Sequence, residues 1–249
     1  MLVRINLLSC HLTDFKWVGH RQSANHETMC SHYQTVKDAA LLLKKFGIAR
    51  PGVLAKYDMS PRYQGVFVQR PPEHGGGDEA VPARESPLGR WGLISAMTKA
   101  DGLEQGRQTF HLQRRQRDGV QVIHLRQRLA PRAALHHSRR CHIFEPDWRS
   151  GTAVATRFTL DEGGPLGIAG LWDRYRDAAG QWHDSYTMLT INAGQDPLFR
   201  DYHQPNKEKR MVVILPEVAY GDWLTASPDE SRNFLALFPS DKLVAAPMT

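Results

Sequence analysis

The sequence predicts an α+β fold: one domain with a mainly antiparallel, barrel-like sheet core and flanking helices. Three observations carry this. Short apolar or alternating runs recur at 153–160, 166–172, 186–192 and 210–215, separated by glycine-, aspartate- and proline-rich turns. Helical periodicity is confined to 35–46 and to a stretch after Ser227. With 249 residues and 41% hydrophobic content, the chain can bury a sizeable core as one unit.

In chain order, residues 1–28 show no periodic pattern. They read as an extension ahead of a start at Met29, which leaves 29–249 as the domain. Over 35–46, Val36, Ala39, Ala40, Leu43 and Phe46 fall on one helical face, and Gly47 can end the helix. Tyr57-Asp58-Met59-Ser60-Pro61-Arg62 is a turn-rich loop, and 63–69 alternates as a strand. From Pro71 to Gly89, prolines and Gly75-Gly76-Gly77 mark a surface loop, followed by a short strand at 90–94. Asp177-Ala178-Ala179-Gly180 has hairpin-turn chemistry, and 210–215 reads as a buried strand. Ser227-Pro228-Asp229-Glu230 has capping-box form with proline at the first helical position, opening a helix to about Phe238.

The net charge of +6 invites a nucleic-acid reading, but its location matters. Residues 111–142 hold eight arginines and one acid, Asp118, a net +7 that leaves the rest of the chain at −1. The basic character is therefore local and needs its own account. Three cysteines, Cys10, Cys30 and Cys141, form no spaced framework, and no signal peptide precedes them. That pattern implies free thiols in a reducing cytoplasm. The longest apolar runs are a few residues, so no membrane span is expected. Cys141-His142 with His136-His137 lacks the two spaced ligand pairs of a zinc site, and neither metal nor cofactor is expected.

Met29-Cys30-Ser31-His32-Tyr33 carries the most distinctive chemistry. If methionine is removed at a start on Met29, Cys30 acquires a free α-amine two carbons from its thiol. Such a residue captures an aldehyde with both groups and closes a five-membered thiazolidine ring. The amine has an unperturbed pKa of about 7.7–8 and the thiol about 8.5, so both are partly nucleophilic near neutrality. An internal cysteine offers only the thiol, and its aldehyde adduct reverses readily.

With these residues laid out, the chain resembles the SRAP family, the SOS response-associated peptidases that process abasic DNA sites. The resemblance runs from Met29 to about Val244. It is carried by Met29-Cys30, the loop from Tyr57 to Pro61, Arg90-Trp91-Gly92-Leu93-Ile94, Phe144-Glu145, Gly167-Ile168-Ala169-Gly170-Leu171-Trp172, Leu189-Thr190, and His203 ahead of Met211-Val212-Val213-Ile214-Leu215. It implies single-stranded DNA containing abasic sites as partner, and Cys30 as the crosslinking nucleophile. It further implies Glu145 as the carboxylate for ring opening and proton transfer, and His203 as the histidine beside the reacting sugar. A nucleic-acid surface is expected at Pro61, Arg62, Arg90, Trp91 and Lys99, with the arginines and Lys99 near phosphates and Trp91 near unstacked bases. The alternative for Trp91 is an indole packed inside a strand.

The sequence departs from the family in three places. Ser31 and His32 stand where glycine and arginine are usual, and Asp58 stands where asparagine is usual. The third departure is larger: the family's Asn-Ala-Arg-x-Glu-Thr strand is missing after the 90–94 strand. One permitted coding of Gln113-Arg114-Arg115-Gln116-Arg117-Asp118-Gly119, shifted by one base, reads Asn-Ala-x-Ser-Glu-Thr. The same shift over Leu129-Ala130-Pro131-Arg132 permits Trp-Arg-Arg. Applied to residues 135–143 it permits Cys-Ile-Ile-Pro-Ala-Asp-Ala-Ile-Phe, the family segment leading to the glutamate. A pair of compensating frameshifts bounding about 111–143 is therefore expected. Poor folding of that segment and weak activity would result, because arginines cannot sit unpaired in a core.

The functional reading is a cytoplasmic, monomeric abasic-site processing protein that forms a thiazolidine DNA–protein crosslink. Self-peptidase and lyase steps are implied by the resemblance alone. Two rivals stand beside it. One is a non-catalytic nucleic-acid-binding protein using the arginine-rich segment; the other is a thiol peptidase acting on other proteins.

Overall fold

The computed structural model describes residues 32–36, 38–48, 56, 58–71, 83–96, 98 and 143–248, together with the backbone of two strands at 113–115 and 132–137. Its longest element pair is a hairpin, β9 (Gly167–Arg176) and β10 (Trp182–Asn192), closed by the predicted turn. Gly180 adopts φ +84 there, and the Asp177 side chain accepts from the Gln181 amide at 2.8 Å. Glycine takes that left-handed backbone without the Cβ penalty.

Around this hairpin an eight-stranded sheet forms in the path β12-β9-β10-β4-β3. Here β3 is Gln64–Val66, β4 is Leu88–Trp91 and β12 is Ile214–Leu215. Three more strands attach: β5 (Gln113–Arg115) runs parallel to β10, β6 (Arg132–His137) antiparallel to β9, and β11 (Arg210–Val212) antiparallel to β10. A second sheet of five strands runs β13-β8-β7-β1-β2. Its strands are β1 (Tyr33–Gln34), β2 (Asp58–Met59), β7 (Ile143–Asp147), β8 (Val154–Leu160) and β13 (Leu243–Pro247), paired antiparallel throughout. Both sheets contribute to one core, which includes Tyr33, Met59, Trp91, Phe158, Trp172, Tyr186 and Val213. Tyr33 and Tyr186 tie the two sheets together through a buried hydroxyl–hydroxyl hydrogen bond of 2.6 Å. The predicted α+β class with a mainly antiparallel sheet core is the observed one.

Several predicted boundaries move. The first helix, α1, is Ala39–Phe46, because Asp38 caps its N terminus by accepting from Ala40 and Leu41. Val36 therefore lies outside it. Phe46 of the predicted face is buried, but its buried companion within the helix is Leu42, and Leu43 is 59% exposed. Phe46 sets this rotation by stacking on Tyr220 at 5.2 Å. The predicted single strand at 210–215 changes partner midway: Val213 donates to Leu189 of β10 and accepts from Ala169 of β9.

The capping box forms reciprocally, Ser227 N–H to Glu230 Oε2 at 2.8 Å and Glu230 N–H to Ser227 Oγ at 3.3 Å. It opens a 3₁₀ turn, Glu230–Phe234, not a helix to Phe238. Pro239 disfavours helical backbone at the residue before it, and Phe234 is held edge-on to Trp223. Trp223 belongs to α2 (Tyr220–Thr225), a helix too short to show periodicity. Gly167 lets α2 cover β9, since a Cβ there would lie 2.3 Å from the Tyr220 ring.

Candidate active site

Glu145 sits at the middle of β7, 2% exposed, with Thr156 of β8 opposite it in register. The other half of the site arrives from a turn after the 3₁₀ segment Phe199–Asp201. Tyr202 forms an isolated bridge with Asp147, and the His203 amide donates to the Pro146 carbonyl at 2.9 Å. These contacts lay the turn along the end of β7. They bring His203 Nδ1 to 3.4 Å from Glu145 Oε2, with both side chains buried. His203 adopts φ +64, a left-handed backbone that costs a residue with a Cβ about 1–2 kcal/mol. Strain of this kind persists where surrounding contacts hold it.

The tautomer of His203 is set by its second contact. Nε2 lies 2.6 Å from the Arg210 carbonyl, which can only accept, so Nε2 carries the hydrogen. In the neutral ring Nδ1 then presents a lone pair to Glu145, and the two groups attract when one proton lies between them. Arg210 itself is 1% exposed. Its guanidinium donates to Thr190 Oγ1 at 3.1 Å and the Thr190 carbonyl at 2.7 Å, and pairs with Glu208 at 2.8 Å.

The chain just after Cys30 borders this site. His32 stacks on Phe144, the residue before Glu145, at 4.6 Å, and Tyr33 opposes Ile143 in register. His32 Nε2 lies 3.4 Å from Asp58 Oδ1. The two family departures, histidine for arginine and aspartate for asparagine, thus face each other. Cys30 and Lys99 lie outside the described residues, as does most of 111–143.

The predicted DNA surface is brought together only in part. Ser60-Pro61-Arg62-Tyr63 is a tight turn closed by the Tyr63 amide on the Ser60 carbonyl at 3.1 Å, with Arg62 at φ +73. Pro61 is half-buried, Arg62 exposed and Arg90 half-buried, and Arg90 pairs with Gln64 across β3–β4. Trp91 is fully buried and packed edge-on against Tyr33 at 4.7 Å, the arrangement of the packed-indole alternative. An aromatic that the sequence pattern does not flag lies nearby. Tyr63 is 40% exposed, with the Lys56 ammonium 4.1 Å from its ring centre.

Residues 29–249 match the family described as SOS response associated peptidase (SRAP). The chain belongs to the SRAP family. A solved protein from Bordetella bronchiseptica is 50% identical, with a TM-score of 0.78 over 88% of this chain and 100% of its own. A protein from Bacteroides thetaiotaomicron shares the fold at 18% identity and TM-score 0.68, covering 88% of this chain and 92% of its own. A phage-related protein of B. bronchiseptica does so at 14% identity and TM-score 0.59, covering 88% and 94%. No curated protein matches. Among the described residues no helix is long and apolar enough to cross a membrane.

In this SRAP protein, burial holds the imidazole of His203 below the usual histidine range. The Lys209 and Arg210 cations act the same way, against the Arg210 carbonyl. Burial likewise lowers His32, with Asp58 opposing. Both rings are harder to protonate folded than unfolded. Between the depressed folded pKa and about 6.5 the unfolded chain binds more protons, so stability rises with pH through that window. Denaturant melts are expected to show a lower midpoint near pH 5.5 than near pH 7.5. The lowered carboxylates Asp147 and Asp177 act below about pH 4 and do not contribute there. Equal midpoints would contradict neutral buried histidines.

Proposed function

We propose that this SRAP protein processes abasic sites in single-stranded DNA, in the cytoplasm and as a monomer, by forming a thiazolidine crosslink through Cys30. The observation that carries the reading is the buried Glu145–His203 pair beside the strand that continues from Cys30. Cys30 lies two positions before His32, a reach of at most about 7 Å. His32 stacks on the residue preceding Glu145.

The chemistry uses each group once. An abasic deoxyribose is mostly a closed hemiacetal. Opening it removes a proton from the C1′ hydroxyl and delivers one to the ring oxygen, work suited to a carboxyl that exchanges a proton with an adjacent imidazole. With Nε2–H committed to the Arg210 carbonyl, Nδ1 is the site through which His203 takes part. The Cys30 amine then adds to the C1′ aldehyde and water leaves, giving an imine. The thiol adds to the imine carbon and its proton passes to nitrogen, closing the ring. The net change is loss of one water. Residues 1–29 must be absent for the amine to exist. The resemblance implies a self-peptidase step that exposes it and an associated lyase activity.

The test is a denaturing gel with single-stranded DNA bearing one abasic site, beside an intact mass of the protein used. A heat-stable shifted band from protein beginning at Cys30 is expected. Binding that disappears with salt and leaves no such band would favour the non-catalytic alternative, in which the arginine-rich segment holds phosphates.

A further inference from the structure

The strained backbone of His203 is held at three points. Its amide donates to the Pro146 carbonyl and its ring to the Arg210 carbonyl, both main-chain partners that substitution cannot remove. The third is a side chain. Lys209 Nζ donates to the His203 carbonyl at 3.0 Å and to the Gln204 carbonyl at 3.3 Å. Among the described residues it is the one side chain bonded to the main chain of His203. An ammonium with several donors suits two carbonyls left open by a left-handed turn, and charge strengthens both bonds.

We infer that Lys209 is a positioning residue for His203: by clamping the His203 and Gln204 carbonyls it holds the left-handed turn and aims Nδ1 at Glu145. The consequence for catalysis rests on the proposed reaction; the clamp itself does not. Lys209 touches no reacting atom. It lies beyond the loop after His203 and directly precedes β11, whose Arg210 carbonyl takes the Nε2 hydrogen. One short segment therefore fixes both the backbone and the ring of His203. The charged groups facing the imidazole are Glu145 from β7, Arg210 from β11 with its partner Glu208, and Lys209 itself. Asp147, nearby on β7, is occupied by Arg149 at 2.6 Å.

The experiment compares Lys209→Met, Lys209→Arg and, as a control, the exposed Lys207→Met in the full chain. Long-range nitrogen–proton NMR of the imidazoles reads the tautomer and titration midpoint of His203 without DNA. Crosslinking to abasic single-stranded DNA is measured in parallel on protein whose first residue is Cys30 by mass. In Lys209→Met the His203 midpoint is expected to rise, because a cation beside it is gone, and its fixed Nε2–H tautomer to become mixed. Crosslinking is expected to slow about tenfold or more, since a misaimed group loses its near-attack geometry. Lys209→Arg is expected to restore both readouts, and Lys207→Met to change neither.

A Lys209→Met protein with an unaltered His203 tautomer, midpoint and crosslinking rate overturns the inference. So does an equal loss in Lys209→Arg. If His203 responds as expected but the parent protein forms no adduct, the clamp stands and the proposed reaction falls. If the parent crosslinks and His203 does not respond, the reverse holds.

Discussion

Cys30→Ala is expected to leave no heat-stable adduct on abasic single-stranded DNA, a loss on the order of a hundredfold or more in yield. The reason lies in which bonds the alanine protein can still make. Its α-amine survives at the same chain position, so an imine with the C1′ aldehyde still forms. Without sulfur no ring closes, and water returns the imine to amine and aldehyde. Borohydride reduction should therefore trap a band in Cys30→Ala that heating alone destroys. An extension of one residue ahead of Cys30 moves the amine off the cysteine and keeps the thiol, so no five-membered ring can close and the heat-stable band should be lost. Measured on the same gel, the variants separate the two nucleophiles that the parent combines. An undiminished heat-stable band in Cys30→Ala would assign the linkage to another residue. The melting temperature is expected to stay with the parent; among the described residues the first buried hydrophobic side chain is that of Tyr33.

Much of the sheet was legible in the sequence because its strands alternate or run apolar between turns with specific chemistry. Asp177 to Gly180 is the plainest case: a carboxylate that folds back on its own turn and a glycine at positive φ. The pairing of Glu145 with His203 was visible only through family resemblance. The two are far apart in sequence, and the bridge that joins them, Tyr202 on Asp147, has no local signature. Lys209 went unread for a similar reason. Glu208-Lys209-Arg210 looks like a solvated charge run, yet Arg210 is buried and Lys209 bonds backward to the turn. Trp91 was open between core and surface because a short strand shows two faces, and alternation does not say which is covered. Val36 keeps helical spacing with Phe46 in the sequence, but Asp38 caps the helix after it, so the periodicity extends past the helix and misstates its buried face.

The segment from 111 to 143 poses a different problem. Its backbone supplies β5 against Met188, Leu189 and Thr190 of β10, and β6 along β9, both in the main sheet. β5 comes after β4 in the chain and shares its partner strand, the position where the resemblance expects Asn-Ala-Arg-x-Glu-Thr. The proposed frame displacement has a direct consequence. A chain carrying the alternative frame over these residues should melt at a higher temperature and crosslink faster than the sequence as it stands. Resequencing is the simplest check: one unambiguous frame through codons 108–145 in independent isolates would end the idea.

Glu145→Gln is expected to slow crosslinking by about 10²–10⁴-fold, the usual contribution of a positioned general acid–base group. Glutamine keeps the shape and burial of the side chain, and its amide can face Nδ1 as a hydrogen-bond donor. The substitution therefore isolates proton exchange from packing. A carboxyl can take a proton from the C1′ hydroxyl and return one to the ring oxygen; an amide can do neither at neutral pH. The stability change should be small by comparison, because no unpaired charge is created: the neutral amide meets a ring that burial keeps neutral. Rate and pH together separate the two roles. In the parent, crosslinking should fall on the acid side as Nδ1 is protonated, at a pH below the usual histidine range. In Glu145→Gln that limb should flatten, since the ring no longer has an acid to exchange with. A glutamine protein with the parent's rate and acid limb would remove Glu145 from the chemistry and leave it a buried structural carboxyl. A small residual rate without the limb would place ring opening in the hands of solvent, with Cys30 still capturing whatever aldehyde is present.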